Sequence, residues 1–254
     1  MIQTRVIPCL LLRNQGLVKT VQFKSPKYLG DPINIVRIFN DKEVDELIFL
    51  DITATVENNK PPFALVEKIA GECFMPLGYG GGVRTLEDMK TLFSIGIEKV
   101  VVNSYAAENP AFIRAAADLF GSQSVVVSVD VKKNRWGKYQ VFTHSGTRST
   151  GLEPIRFAAE MEKCGAGELF LTSIDRDGTM QGYDLNLVHQ VSEVVGIPVV
   201  ACGGAGSIRH LGEAVKQGGA SAAAAGSMFV FQGPLRAVLI SYPSQQELRQ
   251  VFSD

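Results

Sequence analysis

Short runs of β-branched and other apolar residues alternate along the whole chain with longer stretches whose apolar positions recur at helical spacing. That alternation marks a parallel sheet whose strands are joined by crossover helices. Strands are predicted over 5–12, 46–51, 75–79, 98–103, 124–130, 168–173, 197–202 and 220–225. Helices are predicted between them, among them 31–44, 85–95, 109–120, 153–164 and 184–195. Pro32 falls in the first turn of the earliest of these, where its missing N–H is no loss. Residues 1–13 have neither a long apolar region nor a small-residue cleavage site, so they read as a first strand rather than a signal peptide. Eight βα units, with no Ser/Gly-rich linker and no shift of composition, favour one closed (β/α)8 TIM barrel over an open doubly wound sheet.

The strand starts are separated by 41, 29 and 23 residues in the first half and by 44, 29 and 23 in the second. The chain therefore reads as a single domain, 1–254, made of half-barrel repeats 1–123 and 124–254. Such a repeat sets the ends of strands 1 and 5, 3 and 7, and 4 and 8 opposite one another. After the third strand comes Gly80-Gly81-Gly82 and a helix opening at Thr85; after the seventh comes Gly203-Gly204-Ala205-Gly206 and a helix opening at Ser207. Glycines let backbone N–H groups approach a phosphate closely, and a helix N-terminus adds partial positive charge. Asn103-Ser104 and Gly226-Ser227, ending strands 4 and 8, add donors beside each loop. Two such cradles on one rim imply a small-molecule substrate with a phosphate at each end. A dinucleotide fingerprint is absent, because Val83 stands where its third glycine belongs.

Composition narrows the partners. Lys and Arg number 25 against 26 Asp and Glu, a formal net charge of −1, so no overall positive field favours nucleic acid. The longest apolar stretches, such as 6–12 with Pro8 inside it, fall far short of the roughly 18 residues that span a bilayer. A soluble cytoplasmic protein is expected, with no membrane or nucleic-acid partner. Cys9, Cys73, Cys164 and Cys202 show no CxxC spacing and sit in apolar runs, as reduced core thiols do. His144, His189 and His210 show no metal spacing, and surface or packing roles are expected for them. No metal or cofactor is predicted.

Candidate chemistry clusters at the strand ends. Asp51 ends strand 2, Asp130 ends strand 5, and Asp175-Arg176-Asp177-Gly178-Thr179 follows strand 6. Carboxylates there are the usual general acids and bases of barrels, although caps and loop braces use the same residues. Aligning Cys9-Leu10-Leu11 with Ser128-Val129-Asp130 makes Leu11 the half-barrel mate of Asp130, and a leucine cannot move a proton. Lys19, in the long segment after strand 1, is placed to close over an anionic ligand. At the opposite end, Arg5, Glu46, Lys99 and Glu168 start strands 1, 2, 4 and 6. Two cations and two anions where the barrel bottom closes predict a mutually paired ring that could gate a channel.

Across essentially its whole length the chain resembles the cyclase subunit of imidazole glycerol phosphate synthase, the HisF family. The motifs that carry the resemblance include Arg5-Val-Ile-Pro-Cys9, Gly30-Asp31-Pro32, Phe49-Leu50-Asp51-Ile52-Thr53-Ala54, Gly80-Gly81-Gly82, Phe120-Gly121-Ser122-Gln123, Asp175-Arg176-Asp177-Gly178-Thr179 and Gly203-Gly204-Ala205-Gly206. The resemblance implies that the barrel accepts ammonia from a separate glutaminase on its N-terminal face, with Arg5, Glu46, Lys99 and Glu168 as the gate. It implies a bisphosphate held by Gly81, Gly82, Asn103, Ser104, Ser173, Asp177, Gly178, Gly203, Gly204, Gly226 and Ser227, with Asp130 and Lys19 at the chemistry. One departure is specific: where the family has Pro-Cys-Leu-Asp, this chain has Pro8-Cys9-Leu10-Leu11. That spelling is similar to a HisF-like branch associated with glutamine-dependent amidination of acetamido sugars, whose companions are a glutaminase and a sugar amidotransferase. Alternatives are the histidine-pathway cyclase itself and a noncatalytic ammonia conduit.

Overall fold

The computed structural model describes residues 4–233 and 235–253. Residues 1–3 of the expected first segment lie outside them. Eight parallel strands form the barrel: β1 (Arg5–Arg13), β2 (Leu47–Asp51), β3 (Leu77–Gly80), β4 (Lys99–Val102), β5 (Val125–Lys133), β6 (Glu168–Ser173), β7 (Val199–Cys202) and β8 (Ala222–Ala225). Each pairs with its sequence neighbour, and β8 pairs with β1 through Arg5 to Pro8 against Ala222 to Ala225, which closes the cylinder. The chain is a (β/α)8 TIM barrel.

The outer layer contains α1 (Pro32–Asp41), α2 (Phe63–Glu72), α3 (Leu86–Ser94), α4 (Ser104–Glu108), α5 (Pro110–Phe120), α6 (Pro154–Lys163), α7 (Leu185–Ser192), α8 (Ile208–Lys216), α9 (Ser227–Val230) and α10 (Gln245–Ser253). Local chemistry sets several starts. The Asp31 carboxylate accepts from Asn34 N ahead of Pro32, Thr85 and Asp88 form a reciprocal capping box, and Asp184 accepts from Leu187 N. Each of α1, α3, α5, α6 and α7 falls within its expected span, shorter by a few residues at its ends.

Two cores result from the two-sided burial of the strands. Alternate residues face outward into the helices, among them Leu47, Phe49, Val125, Val127 and Leu169. The others face the axis: Ile7, Cys9, Ile48, Val101, Val126, Phe170, Val200, Cys202, Ala222 and Ala224. Strand β8 is all alanine, so it contributes only methyl groups to the axis, and bulkier Ile7, Ile48 and Phe170 fill the space from other strands.

Three features depart from the simple βα alternation. A hairpin arm, Gly16–Val21 with Lys24–Gly30, follows β1. A second arm, Tyr139–Thr143, pairs antiparallel with β5 and then with Arg148–Ser149. The arms occupy equivalent places in the two halves, and they account for the long first interval of each. The short helices α4 and α9 occupy matching positions after β4 and β8. All four cysteines are free, but only Cys9 and Cys202 are buried; Cys73 and Cys164 lie at helix ends and are half-buried rather than in the core. Among the described residues no helix is long and apolar enough to cross a membrane.

Phe170 is fully buried at the axis, where small β8 leaves few neighbours able to collapse into a void. Phe170→Ala is expected to destabilise the barrel by about 3–5 kcal/mol, measured as a lower urea midpoint with an unchanged slope.

Candidate functional site

The C-terminal ends of the strands surround one pocket, lined by side chains from both halves. Its floor is the axial layer of Cys9, Val101, Phe170 and Cys202. The Cys202 thiol beside it, and burial, push the Cys9 thiol well above the ordinary range, so Cys9 does not behave as a reactive thiolate.

The two glycine loops lie on this rim, as their spacing required. Gly81 has φ +121°, and a Cβ there would stand 2.5 Å from the Asp51 carbonyl oxygen; Gly204 has φ +117°, and a Cβ would stand 2.2 Å from the Gly182 oxygen. Both positions therefore require glycine for conformation and for space. Beside the first loop, α4 opens at Ser104; beside the second, α9 opens at Ser227. Ser104 and Ser227, which open these short helices, both line the pocket. The hydroxyls differ. Ser104 Oγ accepts from His144 N at 3.0 Å and donates to Asn103 Oδ1 at 3.2 Å, while Ser227 Oγ is buried with no hydrogen-bond partner among the described residues. An orphaned buried hydroxyl at a helix start is a vacancy of hydrogen bonding that an anion oxygen would satisfy.

Asn103 braces rather than offers donors: its Nδ2 donates to the Ser128 and Phe142 carbonyl oxygens. Gly82 N donates to Thr55 Oγ1 at 3.2 Å. Ser173, expected among the binding residues, does not line the pocket; its carbonyl accepts from Asp177 N, and by strand alternation the neighbouring Thr172 faces inward. Asp51 lines the pocket and also braces its own loop, whereas Asp175 is a loop brace outside the lining. One oxygen of Asp51 accepts from Thr53 N, Thr53 Oγ1 and Ala54 N, and Asp175 accepts from Lys133 N.

Lys19 and Asp177, 158 positions apart in sequence, form a buried ion pair at 2.8 Å. Thr20 Oγ1 donates to the other Asp177 oxygen, Gln22 N donates to the Asp177 carbonyl, and Gln22 Nε2 donates to the Asp175 carbonyl. These contacts hold the first arm across the pocket mouth, with Gly178 beneath it, where a Cβ would meet the Thr20 oxygen at 2.5 Å.

Asp130 and Leu11 face the pocket from β5 and β1. Their registers match: Leu11 pairs with Leu50 and Val18, and Asp130 with Thr172 and Phe142. Burial pushes the Asp130 carboxyl up to about 7, with Asp177 adding to the rise and hydrogen bonds from Ser128 and Thr172 opposing it. An acid near 7 can both give and take protons at neutral pH. Leu11 leaves the opposite wall without such a group.

At the other end of the axis the predicted ring is present. Arg5 bonds Glu46 through Nη1 and Glu168 through Nη2, and Lys99 Nζ lies 2.9 Å from an oxygen of each. Glu46 and Glu168 are only 2% and 4% exposed.

Sequence reasoning missed the charged cluster at the mouth formed by Arg84, Glu108, His144 and Arg148. His144 is not a surface or packing residue: it lines the pocket. His210 does pack, its Nδ1 accepting from Gly206 N at 3.1 Å behind the second loop. Among the described residues no group of three or more His, Cys, Asp and Glu side chains is placed to hold a metal.

The model of the family described as "Histidine biosynthesis protein" matches residues 5–235. A protein of Pseudomonas aeruginosa, provisionally named imidazole glycerol phosphate synthase subunit hisF2, is 54% identical over 248 residues, 98% of this chain and 99% of its own. One of Leptospira interrogans, provisionally named the HisF subunit of the same synthase, is 45% identical over 253 residues, covering 99% and 100% of the two chains. The imidazole glycerol phosphate synthase subunit HisF of Alkaliphilus metalliredigens is 46% identical over 229 residues, 90% and 91% of the two.

Asp130 ties the site to pH. Its folded-state pKa lies above the unfolded one, so the folded chain retains a proton that the unfolded chain releases between about 4 and 7, and stability falls as pH rises through that window. Asp130→Asn, which cannot ionise, is expected to gain stability relative to the native chain from pH 4.5 to pH 7.5, read from urea unfolding at several pH values. A constant difference would contradict the raised pKa.

Proposed function

The chain belongs to the histidine biosynthesis protein family, as a HisF-type subunit of the imidazole glycerol phosphate synthase kind, and on that premise we propose that it is an ammonia-accepting synthase subunit specialised away from histidine synthesis. A glutaminase docks on the N-terminal face and releases ammonia above the ring of Arg5, Glu46, Lys99 and Glu168. Ammonia passes along the axis to the pocket. There a ligand with two phosphate-type groups is held by the loops at Gly81–Gly82 and Gly203–Gly204 and by the starts of α4 and α9. Orphaned Ser227 Oγ supports the second of these subsites. The protein works in the cytoplasm and serves a glutamine-dependent sugar amidination, with a sugar amidotransferase as the further partner.

The observation that carries this reading is the combination at the two ends of the axis. The charged ring is complete and both glycine loops are intact, yet Leu11 stands where the half-barrel symmetry calls for a second carboxylate opposite Asp130. Ring closure around an ammonia-derived nitrogen needs protons delivered and removed, and one carboxylate on one wall is poorly placed for both. The numbered names hisF2 and hisF3 carried by relatives in Pseudomonas aeruginosa and Vibrio vulnificus are consistent with a paralogue. The histidine-pathway cyclase is the second reading, favoured by the intact pocket and by the likeness to the Alkaliphilus subunit.

Given saturating ammonium and the histidine-pathway bisphosphate nucleotide, the native chain is expected to bind the nucleotide but turn it over slowly. Leu11→Asp should raise the rate by about 100- to 10,000-fold, or about 3–5 kcal/mol of barrier. A native turnover near about one per second restores the histidine cyclase.

The gate is tested separately. With a cognate glutaminase bound, Lys99→Ala should uncouple glutamine hydrolysis from product formation while ammonium salts still serve as nitrogen source. Equal losses with glutamine and ammonium would place Lys99 in stability alone.

A further inference from the structure

His144 begins the turn that ends the second arm, and it reaches the pocket mouth through an unusual backbone. His144, Ser145 and Gly146 have φ of +53°, +54° and +75°, three successive left-handed residues of which two carry side chains. Such conformations persist where surrounding contacts fix them. Here the His144 N–H bonds Ser104 Oγ, and Ser145 Oγ donates to the Ile52 carbonyl, so the turn is fastened to the first glycine loop's side of the pocket.

The imidazole has two different neighbours on one nitrogen. Nδ1 lies 3.1 Å from Thr143 Oγ1, and Nε2 lies 3.1 Å from Arg148 Nη1. A guanidinium only donates, so Nε2 accepts, and the ring is neutral with its proton on Nδ1. Glu108 Oε1, from α4, lies 3.8 Å from the same Nε2. One atom thus faces a donor that requires it bare and a carboxylate that would hold it protonated. The third charge facing the ring is Arg84, from the loop after β3, tied to Asn58 Oδ1 and the Thr55 carbonyl. Burial foremost, then Arg148 and Arg84, hold the imidazole below the ordinary histidine range, and Glu108 opposes them.

We propose that His144 is a proton-coupled anion ligand of the first glycine loop, specific for a dianionic phosphate-type group. When such a group seats beside Gly81, Gly82 and α4, the imidazole takes a proton from solvent onto Nε2. Arg148 can then no longer donate to that nitrogen, and its guanidinium is released toward the anion. No covalent bond changes; one proton is taken up. Among the described residues the second loop has no equivalent, because His210 Nδ1 is occupied by Gly206 N and Lys19 is paired with Asp177. The two ends of the pocket therefore respond differently to pH. This inference rests on the reading of the first loop as an anion subsite.

Inorganic sulfate is the probe, since it stays dianionic where histidine titrates and its own protonation does not interfere. The chain has three histidines, so imidazole proton resonances can be assigned with His144→Gln and His210→Gln. Saturating sulfate is expected to raise the His144 pKa by about one unit and to leave His189 unmoved, with about three- to sixfold tighter binding at pH 5.5 than at pH 7.5. Asp130 titrates in the same range, so the slope that counts is the part lost in His144→Gln. In the sulfate-free chain, Arg148→Gln should raise the His144 pKa by freeing Nε2, a readout that needs no ligand and keeps the fold intact at an exposed position. Sulfate binding with an unmoved His144 resonance, or with an equal pH slope in His144→Gln, overturns the proposal while leaving the subsite. Failure of the native chain to bind sulfate at the first loop overturns the subsite and the proposal together.

Discussion

Glu46 and Glu168 sit at the floor of the barrel with almost no surface in water, and carboxylates so placed need cations held between them. Arg5 and Lys99 each reach both, so every charge in the ring has two opposite neighbours. Arg5, Lys99 and Glu168 open β1, β4 and β6 and Glu46 immediately precedes β2, so their pairing sets the starts of four strands at one level. The axial apolar layer stacks above them with its wide side chains on one side and the methyl groups of β8 on the other. The position of the pocket, at the far end of that stack, follows from how the charged end is closed.

The pocket's rim repeats several backbone elements and is unsymmetrical in chemistry. Glycine loops, short helices and hairpin arms recur in both halves, but Asp130 faces Leu11, Lys19 is spent on Asp177, and the charged cluster around His144 stands at the first loop alone. A ligand with similar groups at both ends would meet a different electrostatic environment at each, so the fold's symmetry does not oblige the protein to bind it in either direction. Orientation is chosen by side chains on a backbone that has no preference.

The barrel and the charged ring were legible in the chain because each depends on short-range regularities: β-branched runs, helical spacing, and polar residues at strand starts. The glycine loops were legible because a strand, a glycine pair and a helix start lie within ten residues of each other. The arms were not, since the Asn14-Gln15 turn that folds back the first arm carries positive φ on residues other than glycine and so lacks the usual turn spelling. The inward place of Thr172, rather than Ser173, was not legible because the pleat of β6 cannot be read from a run buried on both faces. The Lys19–Asp177 pair and the His144 cluster depend on contacts between distant segments, which no local pattern announces.

The first arm is fastened at several points that share one anchor. Asp177 receives Lys19 and Thr20 on its side chain and Gln22 on its backbone, and Gly178 fits beneath the same stretch of chain. Lifting any one contact gains little room while the others remain, so an opening arm would have to part them together. Exchange of the pocket's contents past the arm would then pass through that one step. Because the ion pair in that step is buried, ionic strength has little purchase on it. How long a ligand stays would be set by the clasp over the pocket as much as by the grip within it.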